Sequence, residues 1–133
     1  MNENNSSDKI VLSLPLNSAY ISAARLTASS IANRLGFSTA EIEDVKAAVS
    51  EGCTFIIKEF AEYKEKLFKI SFFTGSGSLL INIEMDKPID GLNEENLCIL
   101  MIKALMDEAN FTTKNNKDLT ITMKKIHRET DLF

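Results

Sequence analysis

The chain has 133 residues, of which 44% are hydrophobic and 26% charged, and its net charge is -4 at pH 7. This composition predicts one globular domain with a buried core, and it excludes a disordered chain and a basic nucleic-acid-binding domain. A single histidine, His127, excludes zinc sites with two imidazole ligands, and two cysteines are too few for a disulfide framework. Only five glycines are present, whereas phosphate-binding loops usually contain several.

The start of the chain is polar and carries no targeting signal. Residues 1–8, MNENNSSD, predict a disordered tail before a single domain over residues 9–133. The longest strongly apolar run, residues 97–102, is far shorter than the roughly 20 residues that cross a bilayer. We therefore expect a cytoplasmic protein that binds neither membranes nor nucleic acid.

The first half of the chain predicts one strand and two helices. Residues 9–16 are rich in strand-forming side chains. Apolar residues at helical spacing predict a first helix over residues 18–35. Ser38 and Glu41 form a capping box, which begins a second helix that we expect to reach about Tyr63.

The second half predicts four strands and one further helix. In chain order these are strands over 67–73 and 79–85, a helix over 94–108, and strands over 110–113 and 119–126. The strands alternate apolar and polar residues, and the apolar run in the helix predicts that it is largely buried. The order βααββαββ predicts an α+β two-layer sandwich, with a mixed or antiparallel sheet and helices on one face.

The most informative tract, EDVKAAVSEGCT, lies on the second predicted helix at residues 43–54. Together with residues 24–27 (ARLT), 33–38 (NRLGFS) and 104–108 (ALMDE), it resembles the RsbW-type anti-sigma factor serine kinases of the GHKL ATPase superfamily. The resemblance covers about residues 9 to 126. It implies the histidine-kinase-like ATPase (Bergerat) fold, Mg-ATP as the cofactor, and a sigma factor and an anti-sigma factor antagonist as partners.

The first family motif, Glu-x-x-x-Asn, is only half retained. The resemblance implies that Glu51 holds the position of the general base, whereas the position of the Mg²⁺-ligating Asn is Phe55. A phenyl ring offers no oxygen to a hard cation. We therefore expect no metal site here.

The two glycine motifs of the family are also altered. In Asp-x-Gly-x-Gly, where the Asp contacts adenine, Asp86 is kept, but Pro88 and Asp90 replace the glycines. The later Gly-x-Gly, whose amides hold phosphates at a helix N-terminus, aligns with Asn96 and Cys98.

The family's flexible lid over the nucleotide is shortened to about Gly91–Glu95. None of the five glycines lies at a family position that contacts phosphate. The fold is therefore expected to be retained with a degenerate nucleotide site.

Each candidate residue also has a plainer interpretation. Glu51 is either a vestigial general base or a helix-surface carboxylate. Asp86 is either a vestigial adenine contact or the end of a strand at a turn. Arg25 matches the first helix of the family, which docks the sigma factor and the antagonist, but it can equally be an ordinary surface arginine.

Other polar and sulfur-containing residues favour structural roles. Gly75 and Gly77 predict a hairpin turn, and Cys53 and Cys98 are expected to be buried. His127 is expected to be solvated. A basic cluster is expected to form a solvated edge: Lys114, Lys117, Lys124, Lys125 and Arg128.

Three functions compete. The first is an anti-sigma-factor-like regulatory protein of bacterial transcription control, which binds a sigma factor or its antagonist without ATP. The alternative is an active serine/threonine kinase that binds Mg-ATP and phosphorylates the antagonist. A third is a subunit that supports an active family member by dimerising with it, and among the partners a second copy of the chain, in a homodimer, is also considered.

Overall fold

A computed structural model describes residues 7–114 and 117–129. Its strands are β1 (Lys9–Pro15), β2 (Leu67–Gly75), β3 (Ser78–Met85), β4 (Glu108–Lys114) and β5 (Asp118–Ile126), and its helices are α1 (Ile21–Arg34), α2 (Thr39–Glu59) and α3 (Leu97–Leu105). A short 3₁₀ turn, Ser18–Tyr20, precedes α1. The element order is the predicted one.

The five strands form one sheet in the order β1-β2-β3-β5-β4, and every neighbouring pair is antiparallel. One strand face is buried and the other is not: along β3, Leu79, Ile81, Ile83 and Met85 are buried while the residues between them are only partly covered. The helices cover the buried face, with α2 packed between α1 and α3. The predicted α+β two-layer sandwich is confirmed, and its sheet is antiparallel throughout.

Helix α2 begins as predicted and ends earlier than predicted. The Ser38 side chain accepts from the Glu41 amide while the Glu41 carboxylate accepts from the Ser38 amide, which completes the capping box. The helix stops at Glu59 instead of Tyr63, and Phe60 leaves helical geometry as its C-cap. The next five residues, AEYKE, are mostly charged and offer no apolar stripe to continue it.

Helix α3 is shorter and more exposed than its apolar composition predicts. Only Ile99 and Ile102 are buried, whereas Leu97 is 72% exposed and Leu100 is 47% exposed. The helix lies at the margin of the helix layer, where it contacts α2 and β4. The prediction that α3 is largely buried was therefore wrong, because only one face of this helix contacts the core.

Helix α2 lies unusually close to the sheet at Gly52. A Cβ atom built on Gly52 would lie 2.5 Å from the Cδ1 of Ile83 on β3. Real side chains do not approach so closely, so glycine at this position permits the packing distance.

The residues after β5 are held against the start of α2. His127 Nδ1 lies 2.7 Å from Glu41 Oε1, and its ring stacks on Phe37 with a centroid distance of 5.6 Å. The Arg128 amide donates to Glu41 Oε2 at 2.9 Å. The expectation that His127 is solvated was wrong, because Glu41 is distant in sequence and its contact was not visible from the chain.

Two residues of the predicted basic cluster form specific contacts within the domain. Lys125 is 8% exposed, and its ammonium donates to Asp44 at 3.0 Å and to the Leu105 carbonyl at 2.7 Å. Arg128 donates to Asp107 at 2.7 Å. Lys117 and Arg128 are exposed as expected, whereas Lys125 is a buried structural contact.

Two further sequence predictions concern the ends and membranes. The predicted tail lies largely outside the described residues, and its last member, Asp8, hydrogen-bonds with Thr74 on β2. Within the described ranges, no helix has both the length and the apolar character to cross a membrane.

The Glu41 contacts predict acid sensitivity. Burial alone would raise the pKa of Glu41, but hydrogen bonds from the Arg128 amide, His127 and Ser38 outweigh it and lower the pKa to about 2. The stabilisation is complete above the unfolded-state value of 4.5 and is lost as the pH falls from 4.5 towards 2. Urea unfolding between pH 2.5 and 6 should show Glu41→Gln less stable than wild type at pH 6 by about 1–3 kcal/mol, with the difference shrinking in acid.

The matched control is Glu43→Gln, since Glu43 forms only an exposed ion pair with Lys46. It should keep the wild-type pH profile. A Glu41→Gln variant with an undiminished difference at pH 2.5 would show that its charge does not produce the effect.

Candidate functional site: the cleft between the second and third helices

A cleft of about 440 Å³ opens between α2 and α3. It lies where the resemblance places a nucleotide, because it is formed by the tract with Glu51 and by the start of α3. Its lining residues are Glu51, Thr54, Phe55, Lys58, Glu59, Asn96, Leu97 and Cys98. The structure therefore brings together the first and third altered motifs.

Glu51 is half-buried and faces this cleft beside Cys98. Burial, and after it the Glu51 carboxylate, raise the pKa of the Cys98 thiol. Cys53 is fully buried, as predicted, whereas Cys98 is only half-buried and its thiol lines the cleft, so its predicted burial was wrong.

Phe55 lies one turn after Glu51 and belongs to the core. Its side chain is 2% exposed and only touches the floor of the cleft. It offers no oxygen ligand, and no cluster of three or more His, Cys, Asp or Glu side chains that could hold a metal ion occurs in the described part of the chain. The residues at this position do not supply the ligand set that Mg²⁺ takes.

The N-terminus of α3 is capped by its own chain. The Asn96 side-chain oxygen accepts from the Cys98 amide at 2.8 Å and from the Ile99 amide at 3.4 Å. These are the amides that a helix N-terminus would present to an anion. The family motif identifies Asn96 only as an altered glycine, although an Asn before an apolar run is itself a sequence signal for an N-cap.

Asp86 does not face the cleft. Its carboxylate lies 2.9 Å from the Lys66 ammonium, and both side chains are exposed. It lines another cavity with Lys69 and Glu84, which project from the sheet face that carries no helix. The structure therefore separates Asp86 from Glu51.

Residues 86–96 connect β3 directly to α3. In this segment the Lys87 ammonium lies 4.9 Å from the centre of the Tyr63 ring, and Gly91 has a positive φ of 72°. The segment contains no helix or strand. The shortening of the family's lid to about Gly91–Glu95 stays a prediction.

Arg25 lies on the exposed side of α1 and reaches α2. Its guanidinium donates to Ser50 Oγ at 3.1 Å. Its neighbour Leu26 is 69% exposed, and Tyr20 before α1 is 48% exposed. Arg25 is thus partly held in place beside exposed apolar side chains.

Comparisons with known proteins place this geometry in a family. Serine-protein kinase RsbW of Bacillus cereus strain G9842 is 31% identical over 142 aligned residues, which cover 92% of this chain and 88% of the relative. Serine-protein kinase RsbW of Bacillus thuringiensis strain Al Hakam is 30% identical over 144 residues, with the same coverage. No protein-family model matches the chain.

Two solved structures share the fold. The RsbU and RsbW domains of Rv1364c from Mycobacterium tuberculosis superpose with a TM-score of 0.75 and 15% identity, covering 95% of this chain and 34% of that chain. The SiaB–SiaC complex from Pseudomonas aeruginosa gives a TM-score of 0.58 and 12% identity, covering 88% of each chain. The fold is thus that of the RsbW kinase domains.

The sequence identity to the two Bacillus proteins assigns the chain to a particular family within this fold. The chain belongs to the RsbW family of anti-sigma factor serine-protein kinases.

The contribution of the Asn96 cap to the free energy of unfolding should be measurable. Asn96→Ala removes the oxygen that accepts from two α3 amides and should lower the free energy of unfolding by about 1 kcal/mol, the usual cost of losing an N-cap. Asn96→Asp keeps an acceptor and should stay close to wild type. Chemical denaturation measures both, and equal stability of Asn96→Ala and wild type would contradict the importance of the cap.

Proposed function

We propose that this chain is an RsbW-family regulator that controls bacterial transcription by binding a protein partner in the cytoplasm, and that it does so without ATP. The proposed partner is a sigma factor or an anti-sigma factor antagonist. In this proposal residues 9–133 form one domain, Glu51 and Asp86 are remnants of a nucleotide site, and Arg25 belongs to the docking surface.

The observation that carries the proposal is the Asn96 cap. A bound phosphate would need the Cys98 and Ile99 amides, and these already donate to the Asn96 side chain. A phosphate would therefore have to displace a covalently attached acceptor whose effective concentration is high. The Asn96 side chain also adds bulk at a position where a glycine would let a nucleotide approach the backbone.

Two further contacts support the loss of ATP binding. Phe55 is 2% exposed in the core and places carbon where the family has a metal ligand. Asp86 is engaged by Lys66 at 2.9 Å, outside the cleft. An ATP molecule would thus meet replaced residues at the metal and phosphate positions and, at the adenine position, an aspartate already paired with Lys66.

The surface around Arg25 supports protein binding. A cation held by Ser50 beside the exposed Leu26 and Tyr20 combines an ordered charge with apolar area. Arginine and aromatic side chains of this kind are enriched at protein interfaces. The Pseudomonas relative in fold, SiaB, is itself found in complex with SiaC.

The alternative function is an active serine kinase, and Glu51 favours it. Glu51 is half-buried in a cleft of about 440 Å³, and the named sequence relatives are serine-protein kinases. This alternative requires Mg-ATP to bind despite Phe55 and Asn96.

Thermal unfolding with and without Mg-ATP separates the two functions. A ligand at about 100 times its Kd stabilises a protein by roughly 2.7 kcal/mol, which shifts the Tm by several degrees. We expect no shift of Tm at millimolar Mg-ATP, either for wild type or for Phe55→Asn, because that variant leaves the Asn96 cap in place.

Other results of the same experiment would contradict the expected absence of a Tm shift. A saturable increase in the wild-type Tm would establish the alternative kinase function. An increase only in Phe55→Asn would show that the ring alone blocks the site. Glu51→Gln serves as the control for any shift, since a shift that it abolishes arises in the cleft.

The sheet face without helices supports a proposed homodimer. On this face Val11 is 45% exposed, and the side-chain oxygen of Asn82 is buried without a hydrogen-bond partner among the described residues. A second copy packed on this face would cover Val11, whereas the Asn82 oxygen is already buried within one copy.

A further inference from the structure

Helix α3 carries an apolar stripe on its outer side. Leu97, Leu100 and Met101 are 72%, 47% and 38% exposed, and Ala104 is exposed one turn further on. Their spacing of three or four residues aligns them along one helix face. The core-facing residues Ile99 and Ile102 lie on the other side, so this stripe is not needed to hold α3 on the domain.

The stripe forms a ridge between two hollows. On the α2 side lies the cleft of about 440 Å³ that includes Leu97 in its wall. On the β4 side a smaller hollow of about 190 Å³ is lined by residues that include Leu92, Lys103 and Phe111. A ridge with a groove beside it is the shape against which another helix packs.

Carboxylates dominate the rim of this ridge. Glu51 and Glu59 line the α2 side, and Glu95 directly precedes the start of α3. None of the three forms an ion pair within the part of the chain that the structure describes.

The cations at the same rim are fewer. Lys103 is already paired with Glu94 at 3.2 Å, which leaves Lys58 as the cation without an ion pair among the described residues lining the two hollows. The rim therefore has an excess of negative charge.

We propose that the α3 ridge is a docking surface for an amphipathic helix of a partner protein. The partner helix places aliphatic side chains on Leu97, Leu100 and Met101, and its lysine or arginine side chains face the surrounding carboxylates. The apolar stripe provides affinity, and the charged rim selects a basic helix and speeds its association. This surface is separate from the one around Arg25 and goes beyond the proposed function.

The test uses the full chain and three labelled synthetic helices of about 18 residues, long enough to be partly helical in water. The first carries a leucine stripe flanked by lysine and arginine, the second has glutamate flanks, and the third is a scramble of the first. Fluorescence anisotropy should show that the first binds at least tenfold more tightly than either other helix. Its affinity should fall as salt screens the rim.

Chain variants locate the binding. The double substitution Leu97→Ser with Leu100→Ser should weaken binding of the basic helix at least tenfold, and circular dichroism should show an unchanged fold because both side chains are exposed. If the double variant is less stable, the single substitution Leu97→Ser, at the most exposed position, replaces it in the binding measurement. The matched control, Leu67→Ser, removes an exposed apolar group on β2 and should leave binding unchanged.

Three results would overturn the proposal. Equal binding of the basic helix and its scramble would show charge attraction alone, and equal binding to the α3 variant and to wild type would place the site elsewhere. A fall in the sedimentation mass of the α3 variant would identify a second copy of this chain as the occupant. Because the assay contains no nucleotide and keeps Arg25, failure here leaves the ATP and Arg25 proposals standing.

Discussion

The close approach of α2 to the sheet at Gly52 sets the geometry of the rest of the helix layer. A Cβ atom at position 52 would lie only 2.5 Å from Ile83 Cδ1, so a side chain there would require the Ile83 side chain to move. The helical repeat then directs Ser50 towards Arg25 on α1 and Glu51 towards the cleft beside α3. Gly52 thus shares the sheet-facing side of α2 with buried apolar residues such as Val49, Cys53 and Ile56.

The orientation of α2 on the sheet also explains why Phe55 packs in the core. Position 55 lies three residues after Gly52 and four after Glu51, so it borders both the sheet-facing side and the cleft. The phenyl ring of Phe55 is packed in the core and is only 2% exposed. Apolar packing thus holds position 55, and an internal hydrogen bond to Asn96 caps α3. The family fold persists because it depends on apolar stripes, not on the few residues of the site.

Much of the architecture could be predicted because it is written in local patterns. The alternation in β3 and β5 indicated the buried faces correctly, and the Ser38–Glu41 capping box indicated the start of α2. The burial of α3 could not be predicted, since an apolar run does not reveal which of its faces meets the domain. His127 was misjudged because its partners Glu41 and Phe37 come from the other end of the chain. At the site, family comparison identified the altered positions, but only the structure showed that Asn96 accepts from the α3 amides and that Asp86 pairs with Lys66.

The proposed loss of ATP binding depends above all on the amides at the start of α3, which Asn96 occupies in place of a nucleotide phosphate. The backbone amide resonances of Cys98 and Ile99 report on them directly, in the ¹⁵N-labelled full chain during a titration with Mg-ATP. We expect that neither resonance moves up to millimolar nucleotide, while Asn96→Gly shifts both in the absence of ligand. Saturable movement of both resonances in the wild-type chain on adding Mg-ATP would contradict the proposal.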